Sequence, residues 1–198
     1  MKTTHSTTFS LTLVALFAAL MAIGANITAW LPFMRVGEVP ITLQTFFSVM
    51  AGVLLGKNRG ALAMLLYLMI GLFGLPVFAG FLGGPGIIVQ PTFGFILSFV
   101  LSSWLAGYWV EKHQATLYHY IIATVGGCLI QYILGTHLMY LSLLTIAEAP
   151  AGFSYAVTWL WMLPPFPKDI ILSVAAAFIA IRVHQAIPAL LNRHSEGV

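Results

Sequence analysis

Residues 165–172 read PFPKDIIL, and Asp169 is the only aspartate among the 198 residues. Lys168 stands beside it, in a chain of which only 7% is charged. Two roles fit the pair. An aspartate following Pro164, Pro165 and Pro167 suits the first turn of a helix, where a carboxylate stabilises free backbone N–H groups by about 1 kcal/mol. Lys168 would then lay its stem along apolar surface and keep its ammonium in a polar layer. The alternative is a binding site, since a carboxylate in an apolar segment can hold a polar ligand through charge-assisted hydrogen bonds.

Other chemistries are tested against spacing. The stretch GVLLGKN (Gly52 to Asn58) is one residue short of a phosphate-binding G-x-x-x-x-G-K-[ST] loop, and Asn58 stands where the magnesium-binding hydroxyl belongs. It implies no nucleotide chemistry, and Lys57 and Arg59 read as a cytoplasmic anchor. The six histidines (His5, His113, His119, His137, His184, His194) show no H-x-x-x-H spacing and no acidic or cysteine neighbours at ligand spacing. No metal and no cofactor are expected. Ser102, Ser103 and His137 form no recognisable nucleophile–base constellation, so the chain does not read as an enzyme. Basic residues lie between apolar runs instead of forming a patch, which gives no footprint for nucleic acid.

The elements that must position the Lys168–Asp169 pair are membrane helices. Sixty per cent of the residues are hydrophobic and the mean hydropathy is +0.98. Residues 6–34, 60–110, 114–147 and 149–167 carry no Asp, Glu, Lys or Arg, and such runs approach or exceed the roughly 20 residues that cross a ~30 Å hydrocarbon layer. The first run is too long for a signal-peptide core and is read as a helix. Lone Cys128 excludes an internal disulfide.

The expected architecture is all-α, a single domain over 1–198 with six transmembrane helices: Phe9–Phe33, Ile41–Gly56, Ala61–Phe73, Thr92–Val110, Leu117–Ile146 and Asp169–Ile187. Charge bias places both termini in the cytoplasm, with Lys2, Lys57, Arg59, Lys112, Arg182 and Arg193 inside and only Arg35 and Lys168 outside. Counting 149–167 as a seventh span would move Arg182 and Arg193 to the wrong face. That segment and 74–91, both broken by glycines and prolines, read as reentrant or interfacial outer loops. Irregular backbone at membrane depth needs a cavity to line. The Arg35–Gln44 turn, the glycine-rich stretch 80–86 and Lys168–Asp169 therefore imply an outward-facing pocket.

Ala15, Ala18, Ala19, Ala22 and Ala25 recur at three- and four-residue spacing, which brings them to one side of the first helix. Small residues allow close helix approach in lipid, either within the bundle or to a partner.

Three stretches, VPITLQTFFSVMAGVLLG (39–56), RGALAMLLYLMIGLFGLPVFAGFLGGPG (59–86) and PPFPKDIIL (164–172), together resemble the BioY family, the biotin-specific S components of energy-coupling-factor vitamin transporters. The resemblance implies a subunit of the bacterial cytoplasmic membrane that captures biotin outside and hands it inward by tilting. Its expected partners are a transmembrane scaffold protein and two ATPase subunits. A stand-alone biotin transporter, or the same fold binding another small carboxylate or biotin precursor, are the alternatives. By the same resemblance Asp169 binds the polar end of biotin, Gln44, Gly83 and Gly84 shape the pocket, and Ala15, Ala19 and Ala22 meet the scaffold. An apolar slot for the fused ring would come from Phe46, Phe78, Phe81 and Phe166. Three positions depart from the family pattern: Leu172 replaces its lysine, Leu82 its asparagine or serine, and QPTFGF (90–95) its G-P-[ST]-G-G-Y element. Loss of the lysine leaves Lys168, favoured, or Arg35, which Glu38 would compete for, to neutralise a ligand carboxylate.

Overall fold

The computed structural model describes residues 3–27, 35–36 and 39–187. Helix α1 (Thr3–Asn26) leads to two-residue strands β1 (Arg35–Val36) and β2 (Val39–Pro40), paired antiparallel with Arg35 opposite Pro40. Then come α2 (Gln44–Leu55), α3 (Lys57–Leu72), a 3-10 turn at Pro85–Val89, α4 (Phe93–Lys112), α5 (Leu117–Thr145), α6 (Tyr155–Leu160) and α7 (Pro165–Ala186). Among the described residues, three helical stretches are long and apolar enough to cross a bilayer: Thr8–Asn26, Phe93–Lys112 and Leu117–Thr145. Large side chains such as Leu16, Ile23, Ile133, Leu144 and Phe178 are exposed on the bundle surface, as a lipid-facing surface requires.

Helix α2 is the axis. It packs against α1, α3, α4, α5 and α7, and ten of its twelve residues are buried. A helix without a polar face belongs in an interior. At about 18 Å it is shorter than the hydrocarbon layer.

Its C-terminal half is welded to α3 and α4 by missing side chains. A Cβ on Gly52 would stand 2.2 Å from the Ser103 carbonyl oxygen, one on Gly60 2.7 Å from Gly52 Cα, and one on Gly107 2.4 Å from Lys57 N. Only glycine permits this approach of three backbones. The joint between α2 and α3 is the single residue Gly56, whose φ of +83° no other residue adopts readily. Glu111 of α4 closes the joint: Oε1 accepts from Lys57 N–H at 2.9 Å, and Oε2 pairs with Lys57 Nζ at 3.1 Å.

Several boundaries differ from expectation. The last helix begins at Pro165 instead of Asp169, because prolines that break a helix interior suit its first turn, where N–H groups have no partner. The third begins at Lys57 instead of Ala61, since Gly56 alone makes the turn. Segment 149–167 holds the six-residue α6, N-capped by Ser154, whose hydroxyl accepts from Val157 N–H at 3.2 Å. Segment 74–91 folds onto α3: Gly84 N–H donates to Gly71 O at 2.7 Å, and Phe78 pairs with Leu82.

Candidate functional site

Asp169 lies in the second turn of α7, past the four positions whose N–H groups need capping. The cap role is therefore overturned. Its carboxylate, in a residue only 5% exposed, is spent on side chains: Oδ2 accepts from Tyr132 Oη at 2.6 Å, and Oδ1 stands 2.7 Å from Lys168 Nζ. An unpaired buried carboxylate would cost several kcal/mol, and the lysine and the phenol offset that cost. Lys168 is helical too, not part of a flexible loop. Its ammonium turns inward and donates to the Thr42 carbonyl as well, which a lysine anchored only to a polar layer would not do.

Thr42 links this pair to Gln44. Its hydroxyl donates to Gln44 Oε1 at 3.1 Å, while Gln44 Nε2 donates to Tyr67 Oη at 3.0 Å. Tyr67 Oη in turn donates to Val77 O at 3.2 Å. Asn26 meets the same carbonyl through Nδ2 at 3.2 Å and accepts from Phe81 N–H through Oδ1 at 2.7 Å. One continuous polar chain thus runs from Phe81 through Asn26, Val77, Tyr67, Gln44, Thr42 and Lys168 to Asp169 and Tyr132. It joins α1, the segment after α3, α3, α2, α7 and α5 around one end of the bundle.

The structure separates the sequence-derived aromatic set. Phe166 meets the Asp169 end directly, edge-on to Tyr132 with centroids 5.2 Å apart. Phe46 is half-buried against Phe47. Phe81 is half-exposed, in a left-handed conformation with φ +57°. Phe78 is closed into the core, 1% exposed, with its ring against Tyr67 and over Gly71, where a Cβ would come within 2.0 Å. Gly83 and Gly84 shape the loop: a Cβ on Gly83 would stand 2.3 Å from Leu75 O, and Gly84 has φ +90°. The QPTFGF element carries Phe95 to Tyr132, with centroids 6.5 Å apart. Leu172 lies one turn beyond Lys168 on the same side of α7, and Leu82 is exposed. The Arg35 side chain and Glu38 lie outside the described residues.

Thr42, Asn26, Tyr67 and Tyr132 were missed by sequence reasoning. Asn26 and Thr42, polar residues beside apolar runs, were visible as signals; a tyrosine within an apolar helix is not distinguishable from a core or interfacial aromatic. Ser102 donates to Gly127 O at 2.8 Å, and both His137 ring nitrogens are engaged, with Ile133 O and Tyr155 Oη. Neither is arranged as a nucleophile or a base.

The alanine side of α1 proves to be a corner. Ala18 and Ala25 are buried in the bundle, whereas Ala15 and Ala19 are exposed and Ala22 is half-buried between them.

A helical bundle with a polar chain at one end and a lipid-compatible surface defines a class of helical membrane protein, and its fold has a solved counterpart. The crystal structure of the S-component for biotin from an ECF-type ABC transporter superposes with a TM-score of 0.78, covering 93% of this chain and 95% of that one at 24% identity. The chain belongs to the BioY family, whose family model matches residues 1–189. The biotin transporter BioY of Rhodobacter capsulatus is 38% identical over 190 residues, 92% of this chain and 96% of that protein. The biotin transporter BioY of Thermotoga maritima is 36% identical over 169 residues, 85% and 91% of the two chains. This is a membrane protein of a transporter family.

Proposed function

We propose that this chain captures biotin at the outer face of a bacterial cytoplasmic membrane as the substrate-binding subunit of an energy-coupling-factor transporter. Support comes first from relatives named as biotin transporters and from the fold of an S-component for biotin. The observation that carries the reading is the buried Asp169 carboxylate at the outer end of α7, paired with Lys168 and Tyr132. Asp169 accepts an N–H of the ureido ring, and Lys168 exchanges its present partners for the ligand carboxylate, standing in for the lysine absent at Leu172. Arg35 is the second candidate for that charge. Gln44 holds the pocket floor through Tyr67, Gly83 and Gly84 set the loop over it, and Phe166 with Tyr132 packs on the ring.

In this reading α1, α2, α3, α4, α5 and α7 are six spans of one domain, the segments around Pro85 and α6 are outer loops, and both termini are cytoplasmic. Lys57, Arg59, Lys112 and Arg182 then lie inside, as charge bias requires. The exposed Ala15–Ala19 edge, with Ala22 at its border, receives the scaffold, and two ATPase subunits supply the energy. No catalysis, nucleic acid or metal enters the scheme. Titrating the purified chain in nanodiscs with biotin tests it: saturable binding of one biotin per chain is expected, and absence of binding overturns it. Uptake by vesicles holding this chain alone, independent of ATP, would instead favour a stand-alone transporter. Leu172 and Leu82 favour one other reading, a different small carboxylate or biotin precursor as ligand, which would outcompete biotin in the same titration.

A further inference from the structure

At the opposite end of the bundle from Asp169 lies a second buried polar cluster that ligand capture does not use. His184, in the last turn of α7 and 1% exposed, faces Tyr120 at the start of α5, 0% exposed. Its Nδ1 meets Tyr120 Oη, and its Nε2 stands 3.4 Å from Leu54 O of α2. Leu54 contributes one of the last four carbonyls of α2, which lack partners within their own helix. A carbonyl only accepts, so neutral His184 carries its proton on Nε2, and Nδ1 accepts from the Tyr120 hydroxyl.

Each of the three helices meeting here has a member of the polar chain nearer its other end. Helix α2 runs from Gln44 to Leu54, α5 from Tyr120 to Tyr132, and α7 from Asp169 to His184. Asp169 and His184 are fifteen residues apart, about 22 Å along the helix. Between them α7 presents the fully buried small residues Ser173, Ala176, Ala177 and Ala180, so the α5–α7 seam has little side-chain relief to fix its register. Polar pairs at its two ends supply that register.

We propose that His184 is a positioning residue: with Tyr120 and the Leu54 carbonyl it clamps the inner ends of α2, α5 and α7 and thereby holds Gln44, Tyr132 and Asp169 together farther along the same helices. Ligand affinity at the outer face then depends on a contact at the inner face, where an energising partner would act. The ligand part rests on the biotin reading above; the clamp itself does not.

The test uses the full chain in nanodiscs with biotin as probe. His184→Ala should weaken biotin about 10-fold, while His184→Gln, which again donates to a carbonyl and accepts from a hydroxyl, should stay within about twofold. Cys128, the lone cysteine, is fully buried on α5 between Tyr120 and Tyr132 and gives a ligand-free readout. Its labelling by an uncharged maleimide should accelerate about 5-fold or more in His184→Ala but not in His184→Gln, because labelling follows local opening. On an Asp169→Asn background, His184→Ala should weaken biotin far less, since the carboxylate contact whose placement it protects is already lost. Wild-type affinity with unchanged Cys128 labelling overturns the proposal. Equal, additive weakening on both backgrounds also overturns it, since that marks a general loss of packing. If the wild type itself binds no biotin, the functional reading fails, and Cys128 labelling still decides the clamp.

Discussion

The C-terminal half and the N-terminal end of α2 are fastened by opposite means. Around Gly52, Gly60 and Gly107 the helices touch because side chains are missing, and nothing there can exchange partners. Around Gln44 the neighbours are joined by Thr42, Tyr67, Lys168 and Asp169 through polar side-chain contacts, the kind that the proposed ligand would exchange. Backbone packing makes a fixed frame. Polar side chains in a dry setting make a site that is satisfied when empty and can be satisfied again when filled. In the proposed reading the same helix serves as scaffold at one end and as recognition surface at the other.

The largest effect is expected where the frame is broken. Gly52→Leu drives carbon into the Ser103 carbonyl and should cost at least about 3 kcal/mol, seen as loss of a monodisperse peak in detergent and of all ligand binding. If Gly52→Leu folds normally, the contrast between the two ends is wrong. Next comes Asp169→Asn, which should weaken biotin about 10- to 100-fold, since a charge-assisted hydrogen bond contributes roughly 1.5 to 3 kcal/mol. Its melting temperature should stay near that of the wild type, and unchanged affinity by titration calorimetry would demote the carboxylate to a structural group. Third is Lys168→Ala, compared on biotin and its methyl ester. The wild type should prefer the acid by about 10-fold and the variant by less than about twofold; a preference that persists transfers the carboxylate to Arg35. The smallest effect on binding belongs to Ala19→Trp, on the exposed edge of α1. It should leave biotin affinity within about twofold yet stop ATP-driven uptake by the assembled transporter, because bulk separates helices that must touch. Loss of binding in that variant would place Ala19 inside the bundle's own packing.

What was readable in advance follows the same division. Asp169 announced itself because a single carboxylate in an apolar segment needs a reason, and Lys168 came with it. Tyr132 did not, since its partner is 37 residues away and only the fold brings them together. The start of α7 was misplaced because Pro165 and Pro167 were weighed as breakers when the first helical turn tolerates them. The alanine repeat gave the right spacing but not the split between Ala18 and Ala19, which depends on where neighbouring helices lie. Helix types and order were readable from apolar run length. The pairing of α2 with α1, α3, α4, α5 and α7 was not, because glycines mark where something comes close without saying what.

The single-residue joint at Gly56 bears on how this chain can be cut and lengthened. Leu55 ends one helix and Lys57 begins the next, with the Glu111 carboxylate already seated on the first free N–H. An added residue there has no loop to lengthen, so it must unwind a helical turn or swing α3 out of its groove. The other turn on the same face, Gln114–Thr116 between α4 and α5, is exposed throughout and is the natural place for a purification tag, a fluorescent reporter or a protease site. Two connections side by side on one face thus differ in what they accept: one is a fixed elbow, the other an open port.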